Sequence, residues 1–120
     1  MPLRCLLVDD NDAFLETASL LLEREGLTVV GLASNIAEAL QQHRALRPDL
    51  ILVDIGLGSE SGFTLARLLA SDDLGADVIL ISTGAEADYV ELIADSPAVG
   101  FLPKSELSAR RISLLLGAES

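Results

Sequence analysis

Residues 50–54 read LILVD, four consecutive apolar residues that end on the carboxylate of Asp54. A short apolar run without polar alternation is typical of a strand that is buried on both faces of a parallel sheet. Two other runs have the same form. Residues 6–8 (LLV) end on an acidic pair, and residues 99–102 (VGFL) are followed, after one proline, by Lys104. The three runs predict strands whose carboxyl ends all carry charged side chains.

Short apolar runs alternate with longer amphipathic stretches along the chain. This alternation predicts an α/β fold, a doubly wound five-stranded parallel sheet with five helices. The length of 120 residues predicts one domain, residues 1–120. The strands are predicted at residues 4–8, 27–32, 50–53, 78–81 and 99–102.

Capping residues and helix breakers predict where the helices lie. The fourth helix is predicted over residues 86–95, with Val90 and Ile93 facing the core, and the last helix begins after Ser105. The only histidine, His43, is expected at an exposed or edge position of the second helix. Tyr89 is a candidate contact for a partner protein on the fourth helix.

Composition and charge restrict the class of protein. Half of the residues are apolar, yet no run approaches the roughly 20 residues of a membrane helix. No signal peptide is predicted, and one cysteine suits a reducing compartment, so we expect a cytoplasmic protein. The net charge of −11 repels phosphate backbones, which disfavours direct binding of nucleic acid.

The charged strand ends predict a metal site. In open α/β sheets ligands bind outside the carboxyl ends of the strands, so Asp9, Asp10 and Asp54 are expected to lie together. Two such carboxylates about 4 Å apart repel each other by roughly 4 kcal/mol at an effective dielectric constant near 20. Carboxylate oxygens are the ligands that Mg²⁺ prefers, and the absence of sulfur and imidazole there argues against zinc. The predicted cofactor is therefore Mg²⁺.

A phosphoryl group suits a site with these side chains. Asp54 is the candidate nucleophile, because a carboxylate can attack phosphorus and form an aspartyl phosphate. Lys104 would pair with one phosphoryl oxygen, and the hydroxyl of Ser82 would donate a hydrogen bond to another. Thr83 ends the same apolar run and remains an alternative for that hydroxyl.

Taken in order, these residues resemble the receiver domain of two-component response regulators, the CheY-like family. The resemblance covers essentially the whole chain and implies a flavodoxin-like sheet with strand order 2-1-3-4-5. It also implies a phosphoprotein of bacterial two-component signal transduction. The matching positions are Asp9, Asp10, Asp54, Gly62, Ser82 with Thr83, Phe101 and Lys104.

The resemblance implies a role for each matching residue. Asp10 would bind Mg²⁺ directly, Asp9 would act mainly through a water, and the backbone carbonyl of Gly56 would be a further ligand. Asp54 would receive the phosphoryl group from a phosphohistidine of a sensor kinase or phosphotransfer protein. Ser82 would then shift towards the phosphoryl group, and Phe101 would turn inward behind it.

The resemblance also implies how the signal leaves the domain. The face made by the fourth helix, fifth strand and fifth helix would change its partners, which include a downstream target protein and possible homodimers. With the sequence ending at Ser120, we expect a stand-alone receiver that acts through another protein. We expect no enzyme activity beyond its own phosphoryl transfer and autodephosphorylation.

Two other functions share part of this pattern. A receiver that acts as an interaction module without phosphorylation is one alternative, because Gly58 and Pro103 depart from the commonest family sequence and Gly58 predicts a looser loop. An aspartyl-nucleophile phosphohydrolase is the other. Such enzymes place a second acid two residues after the nucleophile, where this chain has Gly56.

Overall fold

A five-stranded parallel sheet forms the centre of the fold in the computed structural model, which describes residues 3–84 and 86–117. The strands are β1 (Arg4–Val8), β2 (Thr28–Ala33), β3 (Leu50–Asp54), the two short strands β4 (Gly56–Leu57) and β5 (Glu60–Ser61), β6 (Asp77–Ser82) and β7 (Gly100–Pro103). The five long strands follow each other across the sheet in the order β2-β1-β3-β6-β7. This is the predicted order 2-1-3-4-5.

The described ranges contain five α-helices, as predicted; four of them connect the long strands, and the fifth follows the last strand. Two further segments are short 3₁₀ helices, Glu86–Asp88 and Lys104–Glu106. None of the helices in the described ranges combines the length and apolar character needed to cross a membrane. The α-helices are α1 (Asp12–Arg24), α2 (Ile36–Leu46), α3 (Gly62–Ser71), α4 (Val90–Ala94) and α5 (Ala109–Leu115).

Each face of the sheet carries its own apolar core. On β3, Ile51 and Val53 pack on the face covered by α2 and α3, whereas Leu50 and Leu52 pack on the face covered by α1 and α5. Side chains of a strand alternate between faces, so a strand that is covered on both sides must be apolar at every position. This explains why the run from residue 50 is continuous.

Side-chain caps fix where several helices begin. The Asn11 side chain accepts a hydrogen bond from Phe14 N, and the Asn35 side chain accepts one from Glu38 N. Ser61 and Ser108 cap α3 and α5 in the same way. These bonds satisfy backbone N–H groups that have no partner within the first turn of a helix.

The prediction of one continuous fourth helix is wrong, and so is the prediction that Val90 faces the core. Its first turn is the 3₁₀ helix Glu86–Asp88, and α4 starts only at Val90. A 3₁₀ turn has three residues, which changes the phase of the side chains that follow. As a result Val90 is 55% exposed, and Tyr89 packs against the core in its place. Ile93 packs against the core, as predicted.

The fifth helix begins later than predicted. The segment after Pro103 forms the 3₁₀ helix Lys104–Glu106, and the buried Leu107 then adopts an extended conformation. Ser108 caps α5, whose first residue is Ala109. Burial of Leu107 therefore replaces the first turn that the sequence predicts after Ser105.

The expected exposure of His43 is also wrong, since only 1% of the residue is accessible to solvent. His43 lies four residues after the buried Ala39, so both side chains point from the same face of α2 into the protein. Neither ring nitrogen has a hydrogen-bond partner in the described part of the chain. The nearest carboxylate oxygen, Asp72 Oδ2, is 3.9 Å from Nε2.

Candidate functional site

The three predicted acids come together at the carboxyl edge of the sheet. Asp9 and Asp10 follow β1, and Asp54 is the last residue of the neighbouring β3. Val8 lies opposite Val53 in the parallel register, which brings the next residues of both strands side by side. One carboxylate oxygen from each acid lies within 4.8 Å of the other two. We call Asp9, Asp10 and Asp54 the acidic cluster.

Lys104 reaches the acidic cluster from the end of β7. Its Nζ atom lies 2.6 Å from Asp9 Oδ2 and 3.3 Å from Asp54 Oδ2. The same nitrogen is 4.3 Å from the ring centroid of Phe14, on α1, which adds a cation–π contact. The ammonium group therefore bridges two of the three acids.

Burial differs among the three acids. Asp9 and Asp54 are buried, whereas Asp10 is exposed to solvent. Asp9 Oδ1 accepts a hydrogen bond of 2.9 Å from Asn11 N, and Asp54 Oδ1 accepts a longer one of 3.4 Å from Gly56 N. The two buried acids are thus oriented by the backbone, and Asp10 is the acid that faces the solvent.

The electrostatics of the pocket favour a bound cation. Burial, followed by the negative charge of Asp9, raises the pKa of Asp54 to about 6, although Lys104 and the Gly56 amide act in the opposite direction. Burial tends to lower the pKa of Lys104, but its pairing with Asp9 and Asp54 outweighs this and raises that pKa. The acidic cluster thus contains three carboxyl groups but only one ammonium group contacts it, which leaves an excess of negative charge.

The donor set fits Mg²⁺. The clustered ligand atoms are carboxylate oxygens, and no other group of three acidic, histidine or cysteine side chains with this spacing occurs within residues 3–84 and 86–117. Hard divalent cations take such oxygen ligands and complete their octahedron with waters and backbone carbonyls. The histidine lies elsewhere, on α2.

The loop that follows Asp54 is held in place, in contrast to the looser loop that Gly58 predicts. Gly56 and Leu57 pair with Ser61 and Glu60 as a two-stranded antiparallel hairpin. Gly58, at the turn, has a φ of +69°, a conformation that glycine adopts at little cost.

Two further contacts anchor the same loop. Glu60 Oε1 accepts a hydrogen bond of 3.0 Å from Ile36 N at the start of α2. Gly62 N donates one of 2.7 Å to the Ile55 carbonyl. A β-carbon at Gly62 would lie 2.1 Å from the Asp54 carbonyl oxygen, so only glycine allows this close approach.

Burial distinguishes the two candidate hydroxyl groups. Ser82 ends β6 and is buried, whereas Thr83 is exposed. Ile81 lies opposite Asp54 in the register, so Ser82 lies one residue beyond it on the adjacent strand. The Ser82 hydroxyl oxygen accepts a hydrogen bond of 3.0 Å from Gly84 N.

Phe101 and Tyr89 pack together behind the end of β6. Phe101 is buried in the structure, so its ring already occupies an inward position, and the turn that the resemblance implies stays a prediction. The Tyr89 ring centroid lies 6.4 Å from that of Phe101. Sequence reasoning treated Tyr89 as a partner contact and missed this inward packing, because the 3₁₀ turn before it changes the helical phase.

The peptide bonds in the described part of the chain are all trans, including those on both sides of Lys104. Pro103 belongs to β7 and pairs with Ser82 at the end of the sheet. The lysine therefore reaches the acidic cluster from a regular strand end.

Comparison with known proteins identifies the family. The family profile of the response regulator receiver domain matches residues 5–115. The chain belongs to this family. It is a receiver domain of two-component response regulators, and the family functions as a signalling switch.

Individual relatives agree with this assignment. The chain is 37% identical over 103 residues to a protein from Pseudomonas aeruginosa named as a transcriptional regulator, covering 86% of this chain and 50% of that protein. It is 31% identical over 111 residues to the transcriptional regulatory protein LnrK of Bacillus subtilis, covering 92% and 50%. The receiver domain thus spans about half the length of these two curated relatives.

A solved structure agrees at the level of the whole fold. The signal receiver domain of a protein named as the response regulator NarL, from Mycobacterium tuberculosis, superimposes with a TM-score of 0.84 at 29% identity. The match covers 97% of this receiver domain and 94% of that chain.

Proposed function

We propose that Asp54 accepts a phosphoryl group from a phosphohistidine on a sensor kinase or phosphotransfer protein. The observation that carries the proposal is the acidic cluster with Lys104 bridging Asp9 and Asp54. The family membership supports it, because receiver domains act as signalling switches. The same side chains argue against the phosphorylation-independent alternative, since none of them has been replaced.

The transfer itself needs one nucleophile. An Asp54 carboxylate oxygen attacks the phosphorus atom while the phosphorus–nitrogen bond of the phosphohistidine breaks. The electron pair of that bond returns to the imidazole nitrogen, and an acyl phosphate forms on Asp54. A pKa of about 6 leaves Asp54 mostly ionised at neutral pH, which keeps it nucleophilic.

The acidic cluster provides the ligands for Mg²⁺. Asp10, the exposed acid, would bind the ion directly, and the Asp54 carboxylate and the Gly56 carbonyl would contribute further oxygens. Asp9, which pairs with Lys104, would act mainly through a water. When bound, Mg²⁺ neutralises charge on the phosphoryl oxygens during the transfer.

Lys104 and Ser82 respond to the phosphoryl group. Lys104 Nζ, 3.3 Å from Asp54 Oδ2, pairs with one phosphoryl oxygen once the group is attached. The Ser82 hydroxyl, which accepts a hydrogen bond from Gly84 N, shifts towards the phosphoryl group and donates to another of its oxygens. The Phe101 ring then turns inward behind Ser82. These new contacts with the phosphoryl group on Asp54 stabilise the active conformation of the domain and raise its population.

The output face is made of α4, β7 and α5. Exposed apolar side chains lie on this face, among them Val90, Leu92 and Leu114. A downstream target protein binds here, and a second copy of the chain is a further possible occupant. We propose that residues 1–120 act as one domain in the cytoplasm.

Mass spectrometry of the intact chain tests the proposal. With acetyl phosphate and Mg²⁺, the wild-type chain is expected to gain the mass of one phosphoryl group. Asp54→Asn is expected to gain nothing, and removal of Mg²⁺ with a chelator prevents labelling of the wild type. The control is Asp95→Asn, an exposed acid at the end of α4, which labels as the wild type does. Equal labelling of Asp54→Asn would overturn the assignment.

A second readout separates the switch from a hydrolase. In the same mixtures, release of phosphate from a panel of small phosphomonoesters is expected to stay at the level without protein. Gly56 provides no acid to protonate a leaving group, which is why turnover is not expected. Steady release that depends on Asp54 would favour the phosphohydrolase instead.

A further inference from the structure

Tyr89 links three elements around the candidate site. It lies between the 3₁₀ helix Glu86–Asp88 and α4, and its ring packs against the core. Its ring centroid is 6.5 Å from that of Phe63, at the start of α3, and 6.4 Å from that of Phe101, on β7. Both distances fall within the range of favourable aromatic pairs. The ring therefore connects the helix after the Asp54 loop with the strand that leads to Lys104.

The absence of a side chain at Gly84 makes room for this ring. A β-carbon at position 84 would lie 3.2 Å from Tyr89 Cε2 and 3.3 Å from the Tyr89 hydroxyl oxygen. The same point lies 3.5 Å from Ser82 Oγ. The Tyr89 hydroxyl and the Ser82 hydroxyl thus flank the same small volume beside Gly84, and the tyrosine occupies space that another side chain would take.

A hydrogen bond connects Ser82 to that volume. Gly84 N donates to Ser82 Oγ over 3.0 Å, which closes a tight turn at the end of β6. A hydroxyl can donate and accept at once, so what matters is the position of the Ser82 oxygen. If that oxygen moves towards a phosphoryl group on Asp54, either its hydrogen bond with Gly84 N lengthens or the Gly84 backbone moves with it. Either change alters Gly84 on the side that lies next to Tyr89.

The helix that begins at Tyr89 is weakly anchored. α4 has five residues, no side-chain cap and no buried residue of its own. Tyr89 and Ile93 are the residues of this region that pack against the core. Segments with few buried contacts change position at low free-energy cost, so a displacement of the Tyr89 ring is enough to move α4.

We propose that Tyr89 is the positioning residue that transmits the movement of Ser82 to α4. The proposal rests on the proposed function, since it requires a phosphoryl group on Asp54. When the Ser82–Gly84 turn moves, the Tyr89 ring moves with it, and the ring in turn moves α4. Phosphorylation therefore changes the surroundings of Tyr89 as well as those of Phe101. This coupling depends on Gly84, because the Tyr89 and Ser82 hydroxyl groups both lie beside it.

The chain provides its own probe for this proposal. It has one tyrosine and no tryptophan. Its fluorescence, when excited at wavelengths longer than those that phenylalanine absorbs, therefore comes from Tyr89. Addition of acetyl phosphate and Mg²⁺ is expected to change the emission of Tyr89 in step with the mass gain of the intact chain. The signal returns as the acyl phosphate hydrolyses, and Asp54→Asn shows no change.

Measuring mass and emission on the same samples keeps the two proposals apart. A mass gain without any change in emission overturns the role of Tyr89 and leaves Asp54 as the acceptor. No mass gain overturns the proposed function and, with it, the role of Tyr89.

Two adjacent hydroxyl residues provide a matched pair of variants. At equal phosphoryl content, the emission change of Ser82→Ala is expected to fall below about half that of the wild type, because coupled residues lose their interaction together. Thr83→Ala, which removes an exposed hydroxyl, is expected to keep the full change. A full change in Ser82→Ala would overturn the coupling.

Gly84→Ala tests the shared volume before any phosphoryl group is added. The new methyl group would lie 3.2 Å from the Tyr89 ring, so the ring must shift by a few tenths of an ångström, and we expect the resting emission to differ from that of the wild type and the response to acetyl phosphate to shrink. A Gly84→Ala chain with wild-type emission and wild-type response would contradict the contact on which the inference depends.

Discussion

Lys104 Nζ and Asp9 Oδ2 form an ion pair of 2.6 Å at the carboxyl edge of the sheet. The Asp9 side chain is almost completely buried, so this pair is screened little by solvent. The contact of Lys104 with Asp54 is longer, at 3.3 Å. The lysine is therefore held mainly by the deeper acid, and it competes with any cation that binds the acidic cluster.

Removal of the ammonium group is expected to strengthen metal binding and weaken phosphoryl acceptance. Lys104→Met should raise the affinity for Mg²⁺ by roughly tenfold, or about 1.4 kcal/mol, because a like charge has been removed from the pocket. The rate of labelling by acetyl phosphate should fall in the same variant. Isothermal titration calorimetry gives the affinity, and Arg110→Met, which removes an exposed cation on α5, is the control. A lower affinity in Lys104→Met would contradict the competition.

Mg²⁺ is expected to stabilise the fold through the acidic cluster. At a concentration about a hundredfold above its Kd, the ion should add about 2.7 kcal/mol to the free energy of unfolding. In Asp10→Asn the gain should be much smaller, although the chain without metal should be as stable as the wild type or more so, because one repelling charge is gone. Urea unfolding with and without Mg²⁺ measures both effects. An undiminished gain in Asp10→Asn would exclude Asp10 as a ligand.

Gly62 should tolerate no side chain. Gly62→Ala places a β-carbon 2.1 Å from the Asp54 carbonyl oxygen and 2.9 Å from Ile55 Cα, both in the backbone. Overpacking of this kind costs about 1 to 3 kcal/mol, and here it must displace the residue proposed as acceptor. Gly56→Ala is the matched control for stability, since nothing lies within 4 Å of its β-carbon. Equal free energies of unfolding for the two variants would show that the close approach is not required.

His43 is expected to make stability depend on pH. Burial lowers the pKa of His43 in the folded chain, with Asp72 acting in the opposite direction. An imidazole with a lowered folded pKa stabilises the fold above its ordinary pKa of about 6.5, and this contribution is lost as the pH falls through the folded value. The wild type should therefore lose more stability than His43→Leu between about pH 7 and about pH 5.

A second variant at the same position separates charge from polarity. His43→Leu should be more stable than the wild type at neutral pH by about 1 kcal/mol, because no polar ring nitrogen is left buried without a partner. His43→Gln should lose the pH dependence without this gain. Identical pH slopes for the wild type and both variants would show that His43 does not titrate with folding.

The parallel sheet and the charged side chains at its carboxyl edge could both be predicted from the sequence. The continuous run of residues 50–53 has to be covered on both faces, which identifies a central parallel strand and directs Asp54 to its carboxyl end. The same reasoning brought Asp9 and Lys104 to that edge. These predictions depend only on strand direction and burial, which short apolar runs determine well.

The segment from Glu86 to Leu107 was harder to predict for a physical reason. Both differences from the predicted helices arise at 3₁₀ turns, where no strong apolar pattern indicates the change of phase. As a consequence Leu107 is buried and Tyr89 is partly buried. His43 is different, since its spacing of four residues from Ala39 was a signal for burial that outweighs the usual polarity of histidine.

Chemical mapping of the labelled residue tests the central claim most directly. The chain is treated with acetyl phosphate and Mg²⁺ and then reduced with sodium borohydride, which converts an acyl phosphate to an alcohol with release of phosphate. Peptide mass spectrometry then locates the reduced side chain. The account predicts reduction at Asp54 alone, and none at Asp9 or Asp10. Reduction at another acid, with Asp54 intact, would contradict it.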